Sequence, residues 1–232
     1  MKIINKLSII IPVYNEEKTI KQLLERVLAV DLGKIKKEII VVNDGSTDRT
    51  LDEIKKIKDI KLISYNKNIG KSSSLRTGFE QITGDVVVVQ DGDMEYDPND
   101  FKKLLRKMQT PGVQVVYGSR ILGKRDINYS GLSFFVGGLA LTKLVNFLYG
   151  AKITDEPTCY KMFETKLLQS LDLKSVRFEF CPEVTAKVLK KGIKIYEVPI
   201  SYNPRHIDQG KKIRAADFVE AVWVLIRERV TV

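Results

Sequence analysis

The chain has 232 residues, a length that one α/β core can serve, since single cores hold up to roughly 250 residues before chains divide. Hydrophobic residues at 44% and charged residues at 29% exclude a disordered or low-complexity chain, and a lone histidine, His206, leaves almost no material for a histidine metal site or a Ser-His-Asp triad. The net charge of +10 asks for an anionic partner, whether phosphorylated small molecules, an acidic membrane surface or nucleic acid.

The opening segment is apolar but broken by Pro12, so it reads as a strand, Leu7 to Val13, and not as a signal peptide. Its continuous β-branched character predicts a strand buried on both faces of a parallel sheet. Ile20, Leu23, Leu24, Val27 and Leu28 then recur at helical spacing. Strand Glu38 to Val42, helix Thr47 to Lys58, strand Ile60 to Tyr65, helix Lys71 to Ile82 and strand Asp85 to Gln90 continue a βαβ rhythm, which predicts a doubly wound α/β half. Phe101 to Met108 reads as a helix and Val113 to Tyr117 as a strand.

Beyond that point the pattern loosens. A charged loop, Ser119 to Ser130, precedes a helix from Leu132 to Tyr149, and strand Thr158 to Phe163 follows. Helix Pro182 to Lys191, strand Ile193 to Val198, a polar loop from Tyr202 to Lys212 and a last helix, Ala215 to Arg229, complete the chain. The long apolar helix places residues 135, 139 and 142 on one side, with Lys143 and Asn146 as polar points elsewhere, and so predicts either a core helix or one lying at a membrane interface. No run of about 20 apolar residues is present, which argues against a spanning helix. Cys159 and Cys181 have neither metal spacing nor a CxxC pairing, which suits a reducing cytoplasm.

In doubly wound sheets ligands bind beyond the carboxyl ends of the strands. Three such ends carry unusual polar residues: Tyr14, Asn15 and Glu16, then Asn43 and Asp44, then Asp91 and Asp93. Carboxylates two residues apart on a turn can share a hard divalent cation such as Mg²⁺ or Mn²⁺ with substrate phosphates. A plain acidic turn at Asp91-Gly92-Asp93 is the ordinary alternative.

The segments Ser8 to Glu17, Val42 to Asp48 and Gln90 to Asp93 resemble the inverting family 2 glycosyltransferases of GT-A fold. Asp93 to Pro98, Val116 to Arg120, Thr154 to Lys161, Glu183, Tyr196 to Ile200, Arg205 and Gly210 to Lys212 resemble the branch that loads sugars onto dolichyl or polyprenyl phosphate. That resemblance implies a Rossmann-like α/β fold with a mostly parallel central sheet flanked by helices. One catalytic domain is expected over 1–232, with a nucleotide-sugar half at 1–117 and an acceptor half at 118–232 containing the possible interfacial helix 132–149.

By the same resemblance, Pro12, Tyr14, Glu16 and Asp44 would contact the nucleoside, and Asp91, Asp93 and Glu95 the cation. Lys71, Lys211 and Lys212 would serve the donor, although Ser72 stands where relatives often have a second glycine. Arg120 would hold the acceptor phosphate, and Arg205 would close over the diphosphate. The implied reaction moves a hexose from a UDP- or GDP-sugar to a polyprenyl or dolichyl phosphate with inversion, at the cytoplasmic membrane face. A sugar hydroxyl acceptor served by Glu156, Glu179 or Glu183 as base, a non-catalytic nucleotide-sugar module, and a nucleic-acid-binding protein are the competing expectations. The last of these lacks an interleaved aromatic and basic stripe.

Overall fold

The structure is a computed structural model that describes residues 1–122, 131–205 and 215–231. The first half alternates strictly: β1 (Lys6–Val13), α1 (Ile20–Ala29), β2 (Lys36–Asn43), α2 (Thr50–Lys55), β3 (Lys61–Ser64), α3 (Lys71–Phe79), β4 (Val86–Val89), α4 (Phe101–Met108) and β5 (Val115–Ser119). A long helix α5 (Leu132–Tyr149), β6 (Lys161–Glu164), the short α6 (Thr165–Gln169), α7 (Phe180–Lys190), β7 (Ile195–Pro199) and α8 (Ala215–Val230) follow.

The seven strands form one sheet in the order β3-β2-β1-β4-β6-β5-β7. β6 runs antiparallel to both its neighbours, and every other pairing is parallel. The apolar runs predicted to be buried on both faces are so: Ile9, Ile10, Ile11, Val86, Val87 and Val88 are wholly enclosed. Helices cover both faces, and α4 and α1 turn Leu104, Leu105, Leu23 and Leu24 inward at helical spacing.

Two features of this order place the site. The chain builds outward from β1 through β2 to β3, then returns to lay β4 on the other side of β1, so the switch point lies between β1 and β4. The reversal of β6 puts the segment leading into it, Thr154 to Tyr160, at that same carboxyl end of the sheet. Tyr160 donates from its hydroxyl to Gln90 Oε1 at 2.6 Å, linking that segment to the end of β4.

The orientation of α5, left open by its sequence, is settled by packing. The side carrying Thr142 turns inward, where the Thr142 hydroxyl accepts from Glu156 N at 3.0 Å. The exposed stripe is Val136, Ala140, Lys143 and Phe147. Asn146 is no free polar point: it bonds both the N–H and the carbonyl of Ile153, fastening the turn after the helix.

Candidate active site

The loops after β1, β2 and β4 meet at the switch point. Asn15 adopts φ 50°, a left-handed conformation asparagine tolerates, and its side-chain oxygen accepts from Thr47 N at 2.8 Å. Asp44 N donates to Val13 O at 2.8 Å, joining the first two loops. Gly92 crosses β1 so closely that a Cβ there would lie 3.3 Å from the carbonyl oxygen of Pro12. Pro12 is therefore the floor beneath the Asp91-Gly92-Asp93 turn, and Tyr14 stands half-buried just beyond it.

Asp44 takes a place that the sequence did not disclose. It is almost fully buried, and its carboxylate accepts from Ile69 N at 2.7 Å and from Gly70 N at 3.0 Å. Burial raises its carboxyl above the ordinary carboxylate value, opposed by those two N–H donors. It holds the loop that leads to Lys71.

Among the described residues, two cations answer the carboxylates of the turn. Lys71 Nζ lies 2.5 Å from Asp91 Oδ1. Arg205 reaches three acids at once: Glu16 at 3.0 Å, Asp93 at 2.8 Å and Glu95 at 3.3 Å. Glu95 also accepts from the Tyr202 hydroxyl at 2.6 Å, so both its oxygens are engaged. Burial alone would raise Asp91, but the adjacent Lys71 ammonium holds its carboxyl below the usual range. Asp93 is instead pushed up to about 7, by burial first and then by the Asp91 and Glu95 carboxylates, against the pull of Arg205. Among the described residues, four carboxylates thus gather around two cations.

Arg120 sits across the cleft on the end of β5. Its Nε and one terminal nitrogen grip Asp155 at 2.8 and 2.7 Å, and Asp155 also accepts from Arg120 N at 2.8 Å. Both residues are buried, and the guanidinium carbon lies 5.1 Å from the centre of the Tyr202 ring. Next to Asp155, Glu197 accepts from the N–H groups of Thr154 and Asp155. Beside the loop-holding place of Asp44, sequence reasoning also missed the roles of Asp155 and Tyr202. Asp155 stood within a motif already noticed, but its pairing with Arg120 spans 35 residues and has no sequence signal.

The three glutamates considered as bases are differently placed. Glu156 is fully buried, with its carboxyl raised by burial against the influence of Lys161, and Thr185 donates to it at 3.3 Å. Glu183 is also fully buried and committed to Lys174 N, Ser175 N and Lys187. Glu179 accepts from Arg177 N at 2.8 Å at the start of α7. His206, Lys211 and Lys212 lie outside the described residues.

The chain is 31% identical over 201 residues to the low-salt glycan biosynthesis hexosyltransferase Agl6 of Haloferax volcanii, covering 86% of this chain and 48% of that one. It is 29% identical over 217 residues to the dolichol-phosphate mannosyltransferase of Pyrococcus furiosus, covering 89% of this chain and 59% of the relative. The chain therefore spans 48% to 59% of the length of these two relatives. A crystal structure of glucosyl-3-phosphoglycerate synthase from Mycobacterium tuberculosis, in complex with Mn²⁺, uridine diphosphate and phosphoglyceric acid, matches with a TM-score of 0.75. That match covers 97% of this chain and 79% of the other at 20% identity, which speaks for a shared GT-A fold. The family profile described as Glycosyl transferase family 2 matches residues 8–172. It runs through the three strand-end loops that meet at the switch point and on past the Arg120 and Asp155 pair, so the chain belongs to glycosyl transferase family 2.

Proposed function

We propose that this chain is an inverting, cation-dependent hexosyltransferase that moves a hexose from a UDP- or GDP-sugar to a polyprenyl or dolichyl phosphate. The observation that carries the proposal is the switch-point turn, where Asp91 and Asp93 face Lys71 and Arg205. Relatives named as dolichol-phosphate and dolichyl-phosphate sugar transferases support the lipid phosphate as acceptor.

The residues present fit a hard divalent cation. The donors are carboxylate oxygens, and Asp93 is raised first by burial and then by repulsion from the Asp91 and Glu95 carboxylates. Among the described residues no group of three acidic, histidine or cysteine side chains is arranged around one ion position. Asp91 and Asp93 are the residues that would hold the cation, in the manner of Mg²⁺ and Mn²⁺ sites bound through one or two carboxylates together with substrate phosphates. Glu95, taken up by Arg205 and Tyr202, orients the arginine. Mg²⁺ or Mn²⁺ bound there would offset the charge that grows on the leaving diphosphate.

The chain's own residues supply the rest. Lys71 and Arg205 are fixed donors of positive charge beside the turn; burial works against their charge, but their acidic neighbours outweigh it and keep both protonated. Glu16 and Pro12 frame the nucleoside side with Tyr14, and Asp44 acts through the loop it holds. On the acceptor side, Asp155 occupies two nitrogens of Arg120 and fixes its plane, so that an acceptor phosphate would meet a preset guanidinium. A phosphate acceptor is anionic near neutral pH and attacks without a strong base. Glu156 and Glu183 are both fully buried, which accords with that.

A membrane-facing surface completes the proposal. No helix among the described residues is long and apolar enough to cross a membrane. α5 and α8 nevertheless pack side by side, with the Tyr149 hydroxyl donating to Leu225 O, and expose Val136, Phe147, Val219, Trp223, Ile226 and Val230. A peripheral contact at the cytoplasmic face would use this surface.

Labelled UDP- and GDP-hexoses offered with Mn²⁺, a polyprenyl phosphate and a set of soluble sugars test the proposal. Label should enter the organic phase as a lipid-linked sugar. Label found only in the soluble sugars would overturn the acceptor assignment.

A further inference from the structure

Lys71 opens α3, and the first turn of that helix is held from outside. Gly70 takes φ 97°, and a Cβ there would lie 2.3 Å from the carbonyl oxygen of Val176. Ser72 N donates to Arg177 O at 2.8 Å and Ser73 N to Val176 O at 3.1 Å. These helix-end N–H groups, which elsewhere serve anions, are here satisfied by carbonyls of the segment before α7.

Ser72 adds two further bonds. Its buried hydroxyl donates to Arg177 O at 2.7 Å and accepts from Phe180 N at 3.1 Å. The segment it grips is fastened in turn by Glu183, whose carboxylate accepts from Lys174 N at 2.8 Å and Ser175 N at 2.9 Å while pairing with Lys187 Nζ at 2.8 Å. A carboxylate with no solvent exposure and three such partners holds the backbone it binds. Arg76, one turn further along α3, donates to Leu173 O at 3.3 Å and closes the connection.

We propose that Ser72 and Glu183 are positioning residues for Lys71: through the 173–177 segment they lock the first turn of α3, so that the Lys71 ammonium stays at Asp91, 2.5 Å away. A lysine carries four rotatable side-chain bonds, and a fixed backbone origin limits where its ammonium can go. The opposite side of the same loop is held by Asp44, so Lys71 emerges from a backbone fastened at both ends. Where a glycine would keep only the backbone bond to Arg177 O, the serine hydroxyl adds a second bond to that carbonyl and one from Phe180 N at the start of α7.

The proposal rests on the assignment of Lys71 to the donor site, and the test separates the two. Wild type, Ser72→Ala and Glu183→Gln are labelled with acetic anhydride, and modification of each lysine is followed by mass spectrometry. Lys71 should be acetylated about threefold to tenfold faster in both variants, the range expected when one or two net hydrogen bonds are lost, with Lys55 on α2 unchanged. Equal Lys71 rates in wild type and Ser72→Ala would overturn the proposal, whether or not Glu183→Gln folds.

Affinity for UDP and GDP with Mn²⁺ is then measured in a cycle with Lys71→Ala. Ser72→Ala should weaken binding severalfold on its own and change nothing once Lys71 is gone. Equal losses in both backgrounds would mark Ser72 as merely structural and overturn the positioning role. If wild type binds neither nucleotide, the donor-site assignment fails, while the labelling result still decides whether Ser72 and Glu183 hold Lys71.

Discussion

At the scale of single residues, the site is a matter of which charge answers which. Asp91 answers Lys71, while Asp93, Glu16 and Glu95 share Arg205. The types and loop positions of Asp91, Asp93 and Glu16 were legible because each follows a buried strand, and loops after the strands of a doubly wound sheet converge on one cleft. Their partners were not, since Arg205 lies 112 residues from Asp93 along the chain. Arg120 illustrates the difference best. Its motif marked an acceptor-side arginine, but the structure adds that Asp155 is buried against it and would be left as an unpaired charge by truncation. Arg120→Ala should therefore lower the unfolding free energy by about 3 kcal/mol, in addition to any loss of acceptor use. Urea unfolding of the purified variant measures this, and an unchanged midpoint and slope would mean that Asp155 is neutral or hydrated.

Among the elements, the carboxyl ends of β1, β2 and β4 define the cleft, and a half-buried acid at their other end ties the strands together. Glu38 in β2 accepts from Lys6 Nζ at 2.8 Å, from the Ser8 hydroxyl at 2.5 Å and from Thr83 N at 2.8 Å. Burial pushes its carboxyl up, but these donors win and lower it from the ordinary 4.5 to about 2. A depressed folded value means that the contribution to stability is complete above the unfolded value of 4.5 and drains away as pH falls toward about 2. Unfolding free energy should drop over that window, and Glu38→Gln should drop less steeply there while starting lower at neutral pH. Identical pH slopes for the two proteins would remove Glu38 from the account. Strand and helix placement was readable in this half because buried parallel strands leave unmistakable apolar runs. α2 proved shorter than its pattern, Thr50–Lys55, since Asp48 Oδ1 accepts from Thr50 N before the helix and Asp59, at φ 62°, turns the chain after it. α6, with five residues, is too short to show a period, and the reversal of β6 depends on neighbours far off in sequence.

For the whole molecule, a single sheet carries the cleft at its carboxyl edge, and the α5 and α8 pair presents an apolar surface beside it. The sequence showed α5 to be apolar on nearly every side but not which side would remain outside; packing against α7 and α8 decided that. Trp223 is the chain's one tryptophan and is 63% exposed, so it reports directly on this surface. Vesicles containing anionic lipid should shift its emission to shorter wavelength, with neutral vesicles less effective because of the +10 charge. No shift with either would show that the surface does not meet lipid. The central claim is that the switch point between β1 and β4 is a cation-assisted nucleoside diphosphate site held by Asp91 and Asp93. Calorimetric titration of UDP and GDP with and without Mn²⁺, on wild type and on Asp93→Asn, tests it most directly. Wild type should bind one of the nucleotides at least tenfold more tightly with Mn²⁺, and Asp93→Asn should lose that enhancement while unfolding at a similar temperature. Equal Mn²⁺ enhancement in the two proteins would contradict the assignment.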